Sequence, residues 1–209
     1  MKLIKYPSKE QWAELLKRPA KREGIKTPSA VQYVERAGHI KKYHGTYRIL
    51  KVILSYDYLW IQVRVKGGAY GCMSGFKRNG ESYLVSYRDP HLKRTLDVYK
   101  GIPDYIRNFQ ADERDMTKYV IGTISNLDAP LTPSVKGSRG LSAYLSGVTE
   151  EMMQTEREQV LQATKEDIRA LAAHVRAVLQ TGSFCVVGNE EKIEANRAMF
   201  GEVSSLTRG

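Results

Sequence analysis

Arg64-Val-Lys-Gly-Gly-Ala-Tyr-Gly71 follows an apolar run from Leu50 to Val63 and precedes an alternating, strand-like pattern. The junction therefore joins two elements of different period, and its double glycine permits backbone angles and close approaches that side chains forbid. Arg64 brings a rigid, permanently charged fork of donors, and Tyr70 a phenol that donates or accepts. Two readings of the stretch stand at this point. In one, glycine ends a helix, Arg64 caps it and Tyr70 joins the core. In the other, the guanidinium and the phenol face a ligand.

Working outward, Leu50, Ile53, Leu54 and Tyr58 recur at i, i+3, i+4 and i+8, which predicts a buried helical face over residues 46–62 with Thr46 as its N-cap. Tyr56, Tyr58 and Trp60 near its end read as core aromatics or as a base-stacking platform. On the other side, residues 69–76 and 81–88 read as a hairpin around Asn79-Gly80, a strong turn signal. Asp89-Pro90 then predicts an N-cap and N1 proline, with Leu92, Leu96, Tyr99, Ile106 and Phe109 on the apolar side and interruptions at Gly101 and Pro103.

Further helices are expected after Asp112, Ser134, Thr149 and the Thr164/Asp167 pair. Leu141, Tyr144 and Leu145 mark the apolar residues of the second of these. Residues 29–37 and 183–188 read as strands, Asn189 as the cap of a last helix through Phe200, and the tail after Gly201 as frayed. Ser8 and Gln11 suggest a capping box ahead of Trp12, Leu15 and Leu16. Residues 1–27 are therefore assigned to a connector arm with a short helix, and 28–209 to one domain. Strands, a hairpin and a helical run give an α+β class, an antiparallel sheet with helices on one face.

The 209 residues suffice for a sizeable core. No apolar run is long enough to span a membrane, and no apolar segment follows Lys2 and Lys5, so a cytoplasmic location is expected. Cys72 and Cys185 read as reduced core residues. The net charge of +10 is uneven: the first 66 residues hold 15 Lys and Arg against 5 Asp and Glu, while the remainder balances at 18 each. Such a basic segment fits a solvated surface or an acidic neighbour. A nucleic-acid-binding module is the weaker alternative, because no recognition motif accompanies the charge.

Several ordered motifs carry a family resemblance. Arg64-x-Lys-Gly-Gly-Ala-Tyr-Gly71, Ser86-Tyr-Arg-Asp-Pro90, Tyr58-Leu-Trp60, Leu127-Asp-Ala-Pro130, Pro133-Ser-x-Lys-Gly137 and Gly147-Val-Thr-Glu-Glu-Met152 resemble the C-terminal part of the presequence proteases. These form a branch of the pitrilysin/insulinase zinc metallopeptidases. The resemblance implies a non-catalytic C-terminal domain that closes a chamber against the N-terminal catalytic half of the same polypeptide and meets peptide substrates.

It further implies that Arg64 and Tyr70 enter the active site as auxiliary groups, and that Gly67, Gly68 and Ala69 lie along the substrate. The family's inverted His-x-x-Glu-His zinc motif has no counterpart among His39, His44, His91 and His174. No cofactor is therefore expected in this chain, and zinc is expected in the full-length enzyme. An inactive, partner-binding scaffold is the remaining alternative. The family's taste for basic peptides calls for an acidic chamber, which sits uneasily with so basic a piece.

Overall fold

A computed structural model describes residues 21–181 and 183–206. Strands β1 (Arg22–Thr27), β2 (Gln32–His39), β3 (Gly71–Phe76), β4 (Glu81–Asp89), β5 (Ser183–Asn189) and β6 (Glu202–Ser205) form one sheet in the order β3-β4-β2-β5-β1-β6. Pairing is antiparallel from β3 through β5, and β1 runs parallel to both β5 and β6. The sheet is thus mixed, and the class is α+β as expected.

Two of these strands carry no alternation in the sequence. Arg22 to Thr27, assigned above to the connector, lie inside the sheet, with Gly24 level with Val186 and Val203. The domain therefore begins by residue 22, not 28. The tail read as frayed supplies β6, which gains its backbone partners from β1. The short helix expected before Pro19 lies outside the described residues.

Helix α1 (Thr46–Ile53) continues through two wider, π-type stretches, Leu54–Tyr58 and Trp60–Val65. Then follow α2 (Lys93–Arg107), α3 (Glu113–Leu127), α4 (Pro133–Leu145), α5 (Glu150–Leu161), α6 (Lys165–Thr181), α7 (Glu190–Ala195) and a 3-10 turn, Arg197–Met199. Val34, Leu84, Phe184 and Val186 point from the sheet into the layer of α1, α2 and α6, where Ile49, Leu50, Leu96, Tyr99, Ile102, Ile168 and Val175 are buried. Tyr33, Glu35 and Met73, on the opposite face of the sheet, are exposed. Helices therefore cover one face.

Local chemistry explains most boundaries. The side chains of Asp112, Thr149 and Asn189 accept the N–H three residues on, and Thr164 and Asp167 cap each other reciprocally. Thr132, rather than Ser134, caps α4. Thr46 does not cap α1: it is buried, with its hydroxyl against the His44 ring.

Asp89 does not cap a helix at Pro90 either. Its carboxylate is buried and accepts from the Ser86 and Thr95 hydroxyls at 2.6 and 2.7 Å and from the His91 N–H at 2.8 Å, so α2 starts only at Lys93. Pro103 does not break α2. A mid-helix proline costs about 3 kcal/mol, and burying Tyr99, Ile102 and Ile106 around it returns about 1.5–3 kcal/mol each. Gly101 also lies within this helix, and its missing Cβ makes room for the Tyr58 phenol, whose oxygen lies 2.5 Å from where a Cβ would sit. On α4, Leu141, Tyr144 and Leu145 are exposed, and no residue of that helix is buried.

Candidate functional site

The π-type turns carry α1 to the rim of the sheet, where glycine ends it. The Gly68 N–H donates to the Arg64 carbonyl at 2.8 Å, and Gly68 takes the left-handed conformation at φ +79, an αL cap. A Cβ at Gly67 would sit 2.2 Å from the Val63 carbonyl oxygen. Both glycines are thus required by the turn itself. Gly67 and Ala69 are buried, so of the three residues expected along a substrate only Gly68 is exposed.

Arg64 and Tyr70 converge across this turn. The Arg64 Nη1 donates to the Tyr70 carbonyl at 2.6 Å, and its guanidinium lies 4.2 Å from the centre of the Trp60 ring and 5.7 Å from that of Tyr70. The reading of Tyr70 as a core residue fails: it is 58% exposed, and among the described residues its phenol meets no hydrogen-bond partner. Its ring is nonetheless held, edge-on to Tyr87 at 5.5 Å, with the Arg88 guanidinium 5.8 Å from its centre. A fixed aromatic ring thus presents a free hydroxyl beside two permanent cations. Such a group can donate to an oxygen that is gaining negative charge.

Three of these contacts escaped the sequence reading. Trp60, taken with Tyr56 and Tyr58 as core or platform, is 43% exposed and serves as a shelf for Arg64; the i, i+4 spacing of the two residues is the signal that finds it. Of the three aromatics only Tyr58 packs inside, its hydroxyl donating to the Val98 carbonyl. Tyr87 and Arg88 come from the register of the hairpin, counted outward from Asn79-Gly80: β3 and β4 pair Gly71 with Tyr87, and the Tyr70 N–H donates to the Arg88 carbonyl at 3.3 Å.

A family model described as the PreP C-terminal domain matches residues 22–190. The chain belongs to that family. This PreP C-terminal domain is 46% identical over 192 residues to protein HypA of Clostridium perfringens, covering 90% of this chain and 20% of the relative. It is 36% identical over 193 residues to presequence protease 1, chloroplastic/mitochondrial, of Arabidopsis thaliana, covering 88% and 18%. The chain thus spans about a fifth of the length of these relatives.

Among solved structures, the inactive domain of a peptidase M16 from Pseudomonas fluorescens superposes with a TM-score of 0.59 at 17% identity, over 81% of this chain and 43% of that one. Pitrilysin gives 0.59 at 13%, over 81% and 19%. These distant likenesses establish the shared fold, and the family resemblance read from the motifs is the family found.

Among the described residues no three His, Cys, Asp or Glu cluster to hold a metal, and the donors around Tyr70 are cationic. The histidines take other positions. His39 and His174 are exposed, and the His174 Nδ1 lies 3.1 Å from the Tyr47 hydroxyl. Among the described residues no helix is long and apolar enough to cross a membrane.

Cys72, on β3, is half-buried and unpaired. Burial pushes its thiol up to about 11, the Arg64 charge pulling the other way; burial also raises Cys185. Thiolate is the reactive form, and its scarcity outweighs the higher nucleophilicity of a high-pKa thiolate, so an aromatic disulfide reagent at pH 7.5 is expected to modify Cys72 roughly twentyfold more slowly than free cysteine. Mass-resolved labelling at free-cysteine rates would overturn this.

Proposed function

We propose that this chain is the non-catalytic C-terminal domain of a zinc metalloendopeptidase that degrades peptides, and that it supplies Arg64 and Tyr70 to an active site whose metal ligands lie on an N-terminal half. The observation that carries the reading is the exposed Arg64–Tyr70 pair, held rigid by Trp60 and Tyr87 yet with its phenol unspent. In this reading Tyr70 donates to the scissile carbonyl oxygen as negative charge develops there, in a site whose donors are already aimed. Arg64, fixed to the Tyr70 carbonyl, orients that residue and keeps its remaining donors for the substrate backbone. Gly68 is the point of closest backbone approach, and β3, at the edge of the sheet among the described residues, offers its outer side to an extended peptide.

Family membership and the short span of the relatives support the presence of further polypeptide. The exposed apolar side chains of α4 and α5, among them Leu141, Tyr144, Leu145 and Met152, support a face that meets it.

The test uses the longer polypeptide that carries this domain. It is expected to hydrolyse an unstructured peptide and to lose that activity to a chelator, while the 209-residue chain alone has none. Arg64→Ala should lower kcat/KM by about 10- to 100-fold, the worth of hydrogen bonds from a charged donor. If Arg64→Ala shifts only the thermal midpoint and leaves peptide turnover intact, Arg64 is a helix-end cap and the proposal loses half its site.

A further inference from the structure

We propose that Arg88 binds a carboxylate of the peptide at the Arg64–Tyr70 site and thereby sets a preference among peptides; this rests on the reading of that site given above. Arg88 is the penultimate residue of β4, and the hairpin register places it across from Tyr70, whose N–H it accepts through its carbonyl. Its backbone lies at φ +50, and among the described residues it is the one residue other than glycine with positive φ. Glycine adopts this conformation without a Cβ penalty. The backbone role alone is thus better served by glycine, and what glycine lacks is the guanidinium.

That guanidinium is exposed and has no hydrogen-bond or ion-pair partner among the described residues. Arg64, by contrast, is committed to the Tyr70 carbonyl and to the Trp60 ring. The acid next along the chain, Asp89, does not neutralise Arg88: its carboxylate is turned inward and held by Ser86, Thr95 and the His91 N–H. Arg94 adds to the same neighbourhood, its Nη1 donating to the carbonyl of exposed Lys66 at 2.8 Å.

The phenol thus stands in a locally positive rim in which Arg88, though its guanidinium lies 5.8 Å from the Tyr70 ring centre, spends none of its N–H donors on the described residues. A guanidinium fork matches a carboxylate bidentately. A peptide carries that group in two places, on an Asp or Glu side chain and at its C-terminus. A substrate carboxylate would find its charge partner here even when the rest of the peptide is basic.

The experiment compares Arg88→Gly and Arg88→Lys with the parent and with Tyr70→Phe, all in the longer polypeptide. It uses matched peptides: one pair differing by Glu or Gln near the cut, the other by a free or an amidated C-terminus. The parent is expected to favour the charged member of at least one pair, and the pair showing the preference identifies the source of the carboxylate. Arg88→Gly should collapse that ratio of kcat/KM about tenfold, mainly through KM, with Arg88→Lys in between.

The 209-residue Arg88→Gly chain should melt at or above the parent, because the left-handed residue is relieved. A parent without preference in either pair, or a ratio that survives Arg88→Gly while Tyr70→Phe is impaired, overturns this inference alone. If Tyr70→Phe also turns over at the parental rate, the reading of the site falls with it.

Discussion

Replacing Tyr70 by Phe in the longer polypeptide is expected to lower kcat for peptide hydrolysis by about 10²–10³-fold, equivalent to about 2.7–4 kcal/mol of barrier. The substitution removes one oxygen and leaves the contacts that hold the ring, the edge-on Tyr87 at 5.5 Å and the guanidiniums of Arg64 and Arg88. The phenol of Tyr70 spends nothing on the fold, so its loss should leave the melting temperature of the 209-residue chain within about 1 °C of the parent, as for surface changes away from buried features.

The two measurements separate the roles. A group that donates only as charge develops lowers kcat with little change in KM. A merely structural tyrosine would lower the melting temperature, and a ground-state contact would raise KM. An unchanged kcat would remove Tyr70 from the chemistry and leave the exposed pair without a function.

What the sequence disclosed of this site follows from how local each contact is. The Arg64–Tyr70 pair sits within one turn, and the glycines between them announce the break that brings the two side chains together. The same glycines misled in part, because Gly67 is buried by the needs of the αL cap and offers no open face to a peptide. Arg88 is eighteen positions away from Tyr70, and only the register of the hairpin joins them. In the fold, helix caps at Asp112, Thr149 and Thr164 were legible because the partner N–H groups lie three residues on. Asp89 was misread because its partners, Ser86 and Thr95, lie on both sides of it in the chain and outcompete the cap. Strands β1 and β6 have too few apolar residues to alternate: β1 exists because β5 and β6 pair with it on either side, and β6 because β1 supplies its backbone partners.

Glu156→Gln is expected to be the most destabilising single change away from the apolar core. Glu156, on α5, is 4% exposed, and its two oxygens take three donors: the Tyr43 hydroxyl at 2.6 Å, the Arg48 Nε and the Arg78 Nη2. One carboxylate thereby ties α5 to the loop before α1, to α1 itself and to the tip of the β3–β4 hairpin. The amide keeps the shape but cannot balance two guanidiniums, and the Nη1 of Arg78 is already buried without a partner among the described residues. Breaking a buried pair by removing one charge costs about 3–5 kcal/mol. Because Arg48 and Arg78 keep 40% and 24% of their side-chain exposure, the lower end applies, about 3 kcal/mol. For a chain of this size that is a fall of roughly 6–12 °C in melting temperature.

The pH dependence has a definite sign. Burial alone would raise the pKa of Glu156, but the hydrogen bonds from Arg48, Tyr43 and Arg78 outweigh it and hold the carboxyl below its ordinary value. A carboxyl depressed in the folded state contributes stability above its unfolded pKa and loses it as pH falls through the folded one. The parent should therefore lose stability on the acid side more steeply than Glu156→Gln, and the two melting curves should approach each other as pH drops. Parallel curves from pH 7 to 3, or a neutral-pH loss under about 2 °C, would mean that the two arginines find water instead and that the carboxylate does not organise this corner of the fold.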